Sequence, residues 1–160
     1  TTSEEEIAMR ARLPYAAAGT YAGMEGLDAY VEGCGLERGL VALVQLRVSE
    51  INGCAYCLDM HWKDLEVLGE TAQRRYSLAA WRECPYYSER ERAALLWAEA
   101  VTNLAAGHVS DEVYDAVRER FTEKELCDLT LVVAAINAWN RLSIAGRIVP
   151  GGYRPAGAAS

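Results

Sequence analysis

The sequence predicts an all-α chain folded as one helical bundle. Three observations carry that expectation. Apolar residues recur at three- and four-residue spacing almost throughout, and no stretch alternates strictly between apolar and polar as a half-buried strand would. Three capping boxes mark helix starts: Ser3 with Glu6, Ser88 with Glu91, and Thr122 with Glu125. In each, the hydroxyl accepts a free first-turn N–H and the glutamate reaches back to the cap. The lone Asn-Gly pair, Asn52-Gly53, lacks the alternating flanks of a hairpin.

The elements follow in order. A short helix opened by Ser3 has to end before Pro14, whose ring stops helix propagation. Segments 20–34, 36–51, 54–69 and 71–81 carry the helical period. Ser88 opens a helix expected to stop at Gly107, and 110–121 is another. Thr122 opens a long helix expected to stop at Gly146. Glycine suits the left-handed residue that closes a helix. Within that last helix, 129–138 is apolar almost all round, which places it at the centre of a bundle or in a subunit interface. A homo-oligomer is therefore expected. The Pro- and Gly-rich tail should run extended over a surface or fray.

At 160 residues the chain has the size of one domain with a sizeable core. No linker or repeat divides it, so 1–160 is read as a single domain with 1–12 and 150–160 peripheral. Sixteen basic against 23 acidic residues give a net charge of −7, which excludes a nucleic-acid surface of clustered Lys and Arg. There is no run of about 18 apolar residues, so no membrane span is expected. The acidic N-terminus is unlike a secretory signal, and a cytoplasmic location is the default. Five cysteines are an odd number for a disulfide framework.

The chemistry concentrates in SEINGCAYCLDMH, residues 49–61. A redox dithiol, a metal site and core packing compete to explain it. On a helical wheel Cys54, Cys57, Leu58, His61, Leu65 and Leu68 share one stripe, so the thiols and the imidazole should be half-buried. Asn52 is expected to cap this helix, which puts Cys54 in the first turn where free N–H groups and the dipole stabilise a thiolate. His61 follows Cys57 by one turn and can take its proton. Glu50, just upstream, is the carboxylate expected to orient His61 or relay a proton.

A lone cysteine on such a stripe is usually packing; two at this spacing with a histidine one turn on point to chemistry. Zinc needs four ligands and only three are local, with Cys34, Cys84, Cys127 or His108 left to supply the fourth. No metal is therefore assigned. Cys34, Cys84 and Cys127 read as packing residues, and His108 as a solvated surface residue. The tryptophans read as core or interface, and Asn137, Asn140 and Arg141 as interhelical hydrogen-bonding groups.

Three runs carry a family likeness: LRVSEINGCAYCLDMH at 46–61, SERERAALLWAEAVT at 88–102 and INAWNRLSIAGRIVPGGYRP at 136–155. Together they resemble the alkylhydroperoxidase-D-like (AhpD-like) proteins of the carboxymuconolactone decarboxylase superfamily, over roughly residues 13–155. The resemblance implies an all-helical fold assembled as trimers or hexamers, and reduction of small hydroperoxides without a bound cofactor. It makes Cys57 the peroxidatic thiol, Cys54 the resolving thiol and His61 part of a proton relay. An external dithiol, lipoyl or thioredoxin-like, would restore the pair. The alkylhydroperoxidase relay includes a glutamate where this chain has Ala42, and the original enzyme a histidine where it has Tyr56. Small members carry Gln or Glu at the position of Glu50. Two alternatives stand beside the peroxidase. One is a decarboxylase-like lyase, which works by acid–base chemistry on a lactone carboxylate. The other is a disulfide oxidoreductase or redox sensor without peroxidase turnover. The dithiol favours the redox branch.

Overall fold

The computed structural model describes residues 13–157. Within them lie seven α-helices and no strand: α1 Ala22–Gly33, α2 Arg38–Asn52, α3 Ala55–Val67, α4 Ala72–Tyr76, α5 Glu89–Thr102, α6 Asp111–Arg118 and α7 Glu123–Gly146. Two 3₁₀ turns, Leu78–Ala80 and Leu104–Ala106, follow α4 and α5. The all-α expectation holds. The helix expected after Ser3 lies outside the described residues.

α7 is the axis of the bundle and packs on α1, α2, α3, α5 and α6. Its Leu129, Val132, Val133, Ala135 and Ile136 are buried, as its all-round apolar sequence requires. At 24 residues it is long and apolar enough to cross a bilayer, but here it fills the core. The main cluster gathers Leu40, Val44 and Val48 of α2, Ala94 and Ala98 of α5, and the inner face of α7, with Cys54 and Cys57 among them. A second cluster lies across α2 and holds Leu43, Leu46, Leu65, Leu78, Trp81 and Leu95. Each fully buried leucine contributes roughly 1.5–3 kcal/mol relative to exposure.

Local chemistry sets the helix ends. Ser88 and Glu91, and Thr122 and Glu125, form complete capping boxes. Other ends differ from expectation. The segment 71–81 breaks after Tyr76 into the 3₁₀ turn. α5 ends at Thr102, where Asn103 leaves helical geometry, and Gly107 is extended at φ 158° and ψ 173°. Gly146 remains helical, and the left-handed residue is Arg147 at φ 52°. Glycine at 146 serves close approach: a Cβ there would lie 2.5 Å from Cε2 of Tyr15.

The joint between α2 and α3 overturns the expected cap. Asn52 is the last residue of α2, and Gly53 closes it in the left-handed conformation at φ 67° and ψ 35°. The Gly53 N–H donates to Glu50 O (3.3 Å) and the Cys54 N–H to Ser49 O (3.1 Å). Cys54 itself caps α3. Asn52 is committed elsewhere: its amide donates to Asn137 Oδ1 (3.0 Å) and Asn140 Oδ1 (2.9 Å). Asn140 in turn donates to Ser49 Oγ (3.1 Å). This buried polar knot ties the joint to α7, as expected of Asn137 and Asn140. Arg141 instead donates back to Asn137 within its own helix.

After α7 the chain turns across α3. Lys63 Nζ donates to the carbonyls of Gly151 (3.3 Å) and Tyr153 (3.2 Å), and the Gly151 N–H donates to Asp59 Oδ2 (3.0 Å). The tail thus runs extended but tethered.

Candidate active site

Cys54 and Cys57 are joined as a disulfide, with Cα atoms 5.3 Å apart. The pair is more deeply set than the wheel predicts: each cysteine is only 1% exposed. The left-handed turn at Gly53 delivers Cys54 to the N-cap, where its Sγ accepts the Cys57 N–H (3.3 Å). That is the thiolate-stabilising position of a helix.

The two sulfurs face different surroundings. Cys57 lines a cavity of about 840 Å³ and Cys54 does not. Apolar side chains of four helices wall the cavity, among them Val31 of α1, Val41 of α2, Met60 of α3 and Ile136 of α7. Tyr21, Tyr56, Trp139 and Tyr153 add aromatic surface. Leu58 and Leu65, on the expected stripe, are not part of the wall; both pack in the second cluster, where Leu65 is fully buried. Leu68 lines the cavity but is exposed at the surface.

His61 lines the same cavity one turn beyond Cys57 and is buried. Neither ring nitrogen has a hydrogen-bond partner in this disulfide form. Its Nδ1 lies 3.6 Å from Asp64 Oδ2. Tyr153, from the C-terminal segment, donates its hydroxyl to Asp64 Oδ1 (2.7 Å). Burial alone would raise the Asp64 carboxyl; the adjacent His61, the Tyr153 hydroxyl and the Arg38 charge outweigh it and hold it below the usual carboxylate range. Burial and the Asp64 charge push the Tyr153 hydroxyl up, so it stays a neutral donor.

Glu50 sits elsewhere. It is absent from the cavity wall and pairs with Arg47 (2.8 Å). Arg47 also holds Glu99 (2.8 Å), which accepts from Trp81 Nε1 (2.8 Å) and pairs with Arg82 (2.5 Å). Burial raises the Glu50 carboxyl despite Arg47, whereas these three partners lower Glu99 against its own burial. Ala42 does line the cavity, so its wall is apolar there.

Among the other cysteines, Cys34 and Cys84 are partly buried against the two clusters. Cys127 is exposed, not packed, because it falls on the outer face of α7. No group of three His, Cys, Asp or Glu side chains among the described residues is arranged to hold a metal ion. His108 is exposed. Of the tryptophans, Trp81 and Trp97 are core, Trp62 is surface under the Arg75 guanidinium, and Trp139 donates to Asp28 at the cavity (2.9 Å). Sequence reasoning missed Asp64 and Tyr153. The three-residue spacing from His61 to Asp64 was a usable signal, but Tyr153 is 89 positions from Asp64 and gave none.

Residues 16–100 match the carboxymuconolactone decarboxylase family. The uncharacterized protein YdfG of Bacillus subtilis is 44% identical over 122 residues, spanning 76% of this chain and 83% of YdfG. A protein of unknown function from Agrobacterium tumefaciens, whose name links it to the antioxidant defence protein AhpD, has a crystal structure that superposes with a TM-score of 0.86. The two are 36% identical, over 89% of this chain and 99% of that one. An uncharacterized peroxidase-related protein from Silicibacter shares the fold at a TM-score of 0.75 and 22% identity, over 84% of this chain and 72% of its own.

Proposed function

The chain belongs to the carboxymuconolactone decarboxylase family and has the AhpD-like fold, and on that premise we propose that it is a thiol peroxidase reducing organic hydroperoxides through Cys54 and Cys57. One observation carries the reading: Cys57 faces a largely apolar cavity of about 840 Å³, while Cys54 stands behind it within bonding distance at a helix N-terminus.

In the reduced state His61 takes the Cys57 proton. The thiolate attacks the distal oxygen of ROOH, and the O–O bond breaks. The electron pair leaves on RO⁻, which recovers a proton from His61 and departs as ROH. Cys57 is left as a sulfenic acid. The Cys54 thiolate attacks that sulfur, hydroxide leaves as water with a proton, and the disulfide closes. An external dithiol then attacks Cys57 from the cavity side and expels Cys54 as a thiolate. The N–H donation at the helix tip favours Cys54 as leaving group. The second thiol of the dithiol then attacks its own sulfur in the mixed disulfide and releases Cys57 as a thiolate, so the dithiol leaves as a disulfide and two electrons enter per peroxide reduced. A homo-oligomer belongs to the same proposal.

Cavity size favours an organic substrate. A molecule on the scale of water occupies about 30 Å³ and would leave the cavity almost empty. A bulky hydroperoxide instead gains roughly 25 cal/mol per Å² of apolar surface covered. Charge disfavours a lactone carboxylate. Among the described residues the wall carries Asp28, Glu32 and Asp64 against one arginine, Arg38.

The test counts free thiols on reduced protein before and after one equivalent of cumene hydroperoxide, with Cys57→Ser alongside. Loss of two thiols per chain, abolished in the variant, supports the cycle. No loss, or equal loss in the variant, sinks it and turns attention to lyase or disulfide-exchange assays.

A further inference from the structure

The histidine of this site lacks the carboxylate partner that the sequence suggested, because Glu50 is held by Arg47 outside the cavity. We propose that Asp64 is the carboxylate that faces His61 and stabilises the imidazolium formed when it takes the Cys57 proton, and that Tyr153 of the C-terminal segment holds Asp64 for that purpose. The inference deepens the peroxidase reading and rests on it for the task of His61.

Three observations converge. Asp64 is the acidic residue within ion-pair reach of His61 among the described residues, at 3.6 Å from Nδ1. His61 is 4% exposed with both nitrogens unpartnered, so a nearby charge acts on it with little screening. Tyr153 occupies the other Asp64 oxygen at 2.7 Å, which leaves Oδ2 for the imidazole. The remaining charged or titratable groups of the cavity do not compete. Asp28 accepts from Trp139, Glu32 lies with it on α1, Arg38 acts on Asp64 itself, and Tyr21 and Tyr56 present phenol rings rather than carboxylates. Asp64 meets the first requirement of the role, since it is ionised at neutral pH.

The chemical consequence is a proton shift. When the Cys57 proton moves to His61, the Asp64 carboxylate 3.6 Å from Nδ1 offsets the charge that forms on the ring. A neutral residue at 64 removes that support, so the thiol ionises only at higher pH. Asp64 is thus a positioning residue acting through His61.

The experiment reads Cys57 directly. Reduced full-length Cys54→Ser protein is treated with iodoacetamide from pH 5 to 9, and modification of the Cys57 peptide is followed by mass spectrometry. This background is compared with added Asp64→Asn, Tyr153→Phe, Glu50→Gln and Glu66→Gln. Asp64→Asn is expected to slow the reaction about tenfold at pH 7 and move its midpoint up by about one unit. Tyr153→Phe is expected to act in the same direction by about two- to threefold, because the freed carboxylate can swing away from the imidazole. Glu66, an exposed carboxylate on the same helix paired with Arg75, should give no shift. An unchanged profile in Asp64→Asn, or a shift in Glu50→Gln as large as in Asp64→Asn, overturns the inference. If Asp64→Asn melts early, Tyr153→Phe decides, and an unchanged profile there overturns it equally. No peroxide enters the measurement. A chain whose Cys57 responds to Asp64 but consumes no hydroperoxide keeps this inference and loses the peroxidase.

Discussion

Cys57 and His61 stand together because one helix carries both at a spacing of four, and that much is written in the local sequence. The carboxylates are harder to read, since their fate depends on partners distant in sequence. Glu50 and Glu99 share Arg47, yet burial dominates the first and hydrogen bonds the second. Replacing Glu99 by Gln should therefore cost about 1–3 kcal/mol in urea denaturation at pH 7, by weakening its contacts with Arg47, Arg82 and Trp81. Glu50→Gln should stay within about 0.5 kcal/mol of the parent, because losing a penalised buried charge offsets losing its ion pair. Equal costs for the two would refute the contrast. Asp64 adds a pH signature. Its carboxyl lies below the ordinary value in the folded chain, so its stabilisation is present above the usual carboxylate range and disappears as pH falls through the folded value. The stability gap between parent and Asp64→Asn should accordingly shrink on titration from pH 7 toward pH 3, as measured by denaturation at each pH.

Elements were legible where their ends are decided by neighbours in sequence. The capping boxes at Ser88 and Thr122 are of that kind, since hydroxyl and glutamate are three residues apart. Asn52 was misread for the opposite reason: its amide is committed to Asn137 and Asn140, 85 and 88 positions away. The real device is Gly53, whose left-handed backbone ends α2 and turns Cys54 into the cap of α3. A Cβ at 53 would meet no neighbour within 4 Å, so any cost of substitution is backbone strain. Gly53→Ala should lower stability by about 1–2 kcal/mol in chemical denaturation. The same variant should slow closure of the Cys54–Cys57 disulfide from the reduced state, read by thiol counting. A neutral result would mean that the joint relaxes out of the left-handed region.

On the scale of the molecule, periodicity and an apolar 129–138 segment foretold a bundle around one central helix, and α7 is that helix. The cavity was not foretold, because its wall is assembled from α1, α2, α3, α7 and the C-terminal segment, which meet only in the folded chain. The core should depend little on the disulfide. That bond spans a sequence separation of 3, and closing so short a loop stabilises by only about 2 kcal/mol in the chain-entropy account. Reduction with excess dithiothreitol should thus lower Tm by roughly 4–8 °C and leave a single cooperative transition. Loss of the transition on reduction would show that the dithiol is a structural staple.

Apart from Tyr153, the tethered tail bears on selectivity and not on reactivity. The sulfurs and the imidazole belong to α3 and its cap, whereas Ile148, Tyr153, Pro155 and Ala156 line the cavity from the C-terminal segment, which Asp59, Lys63 and Asp64 fasten to α3 through Gly151 and Tyr153. Sequence change at Ile148, Pro155 and Ala156 can widen, narrow or recharge that wall while Tyr153 keeps its bond to Asp64 and the bonds around Gly53 and Cys54 stay as they are. Related chains can therefore diverge in what they admit by exchanging those three wall residues, with the same sulfur chemistry behind them.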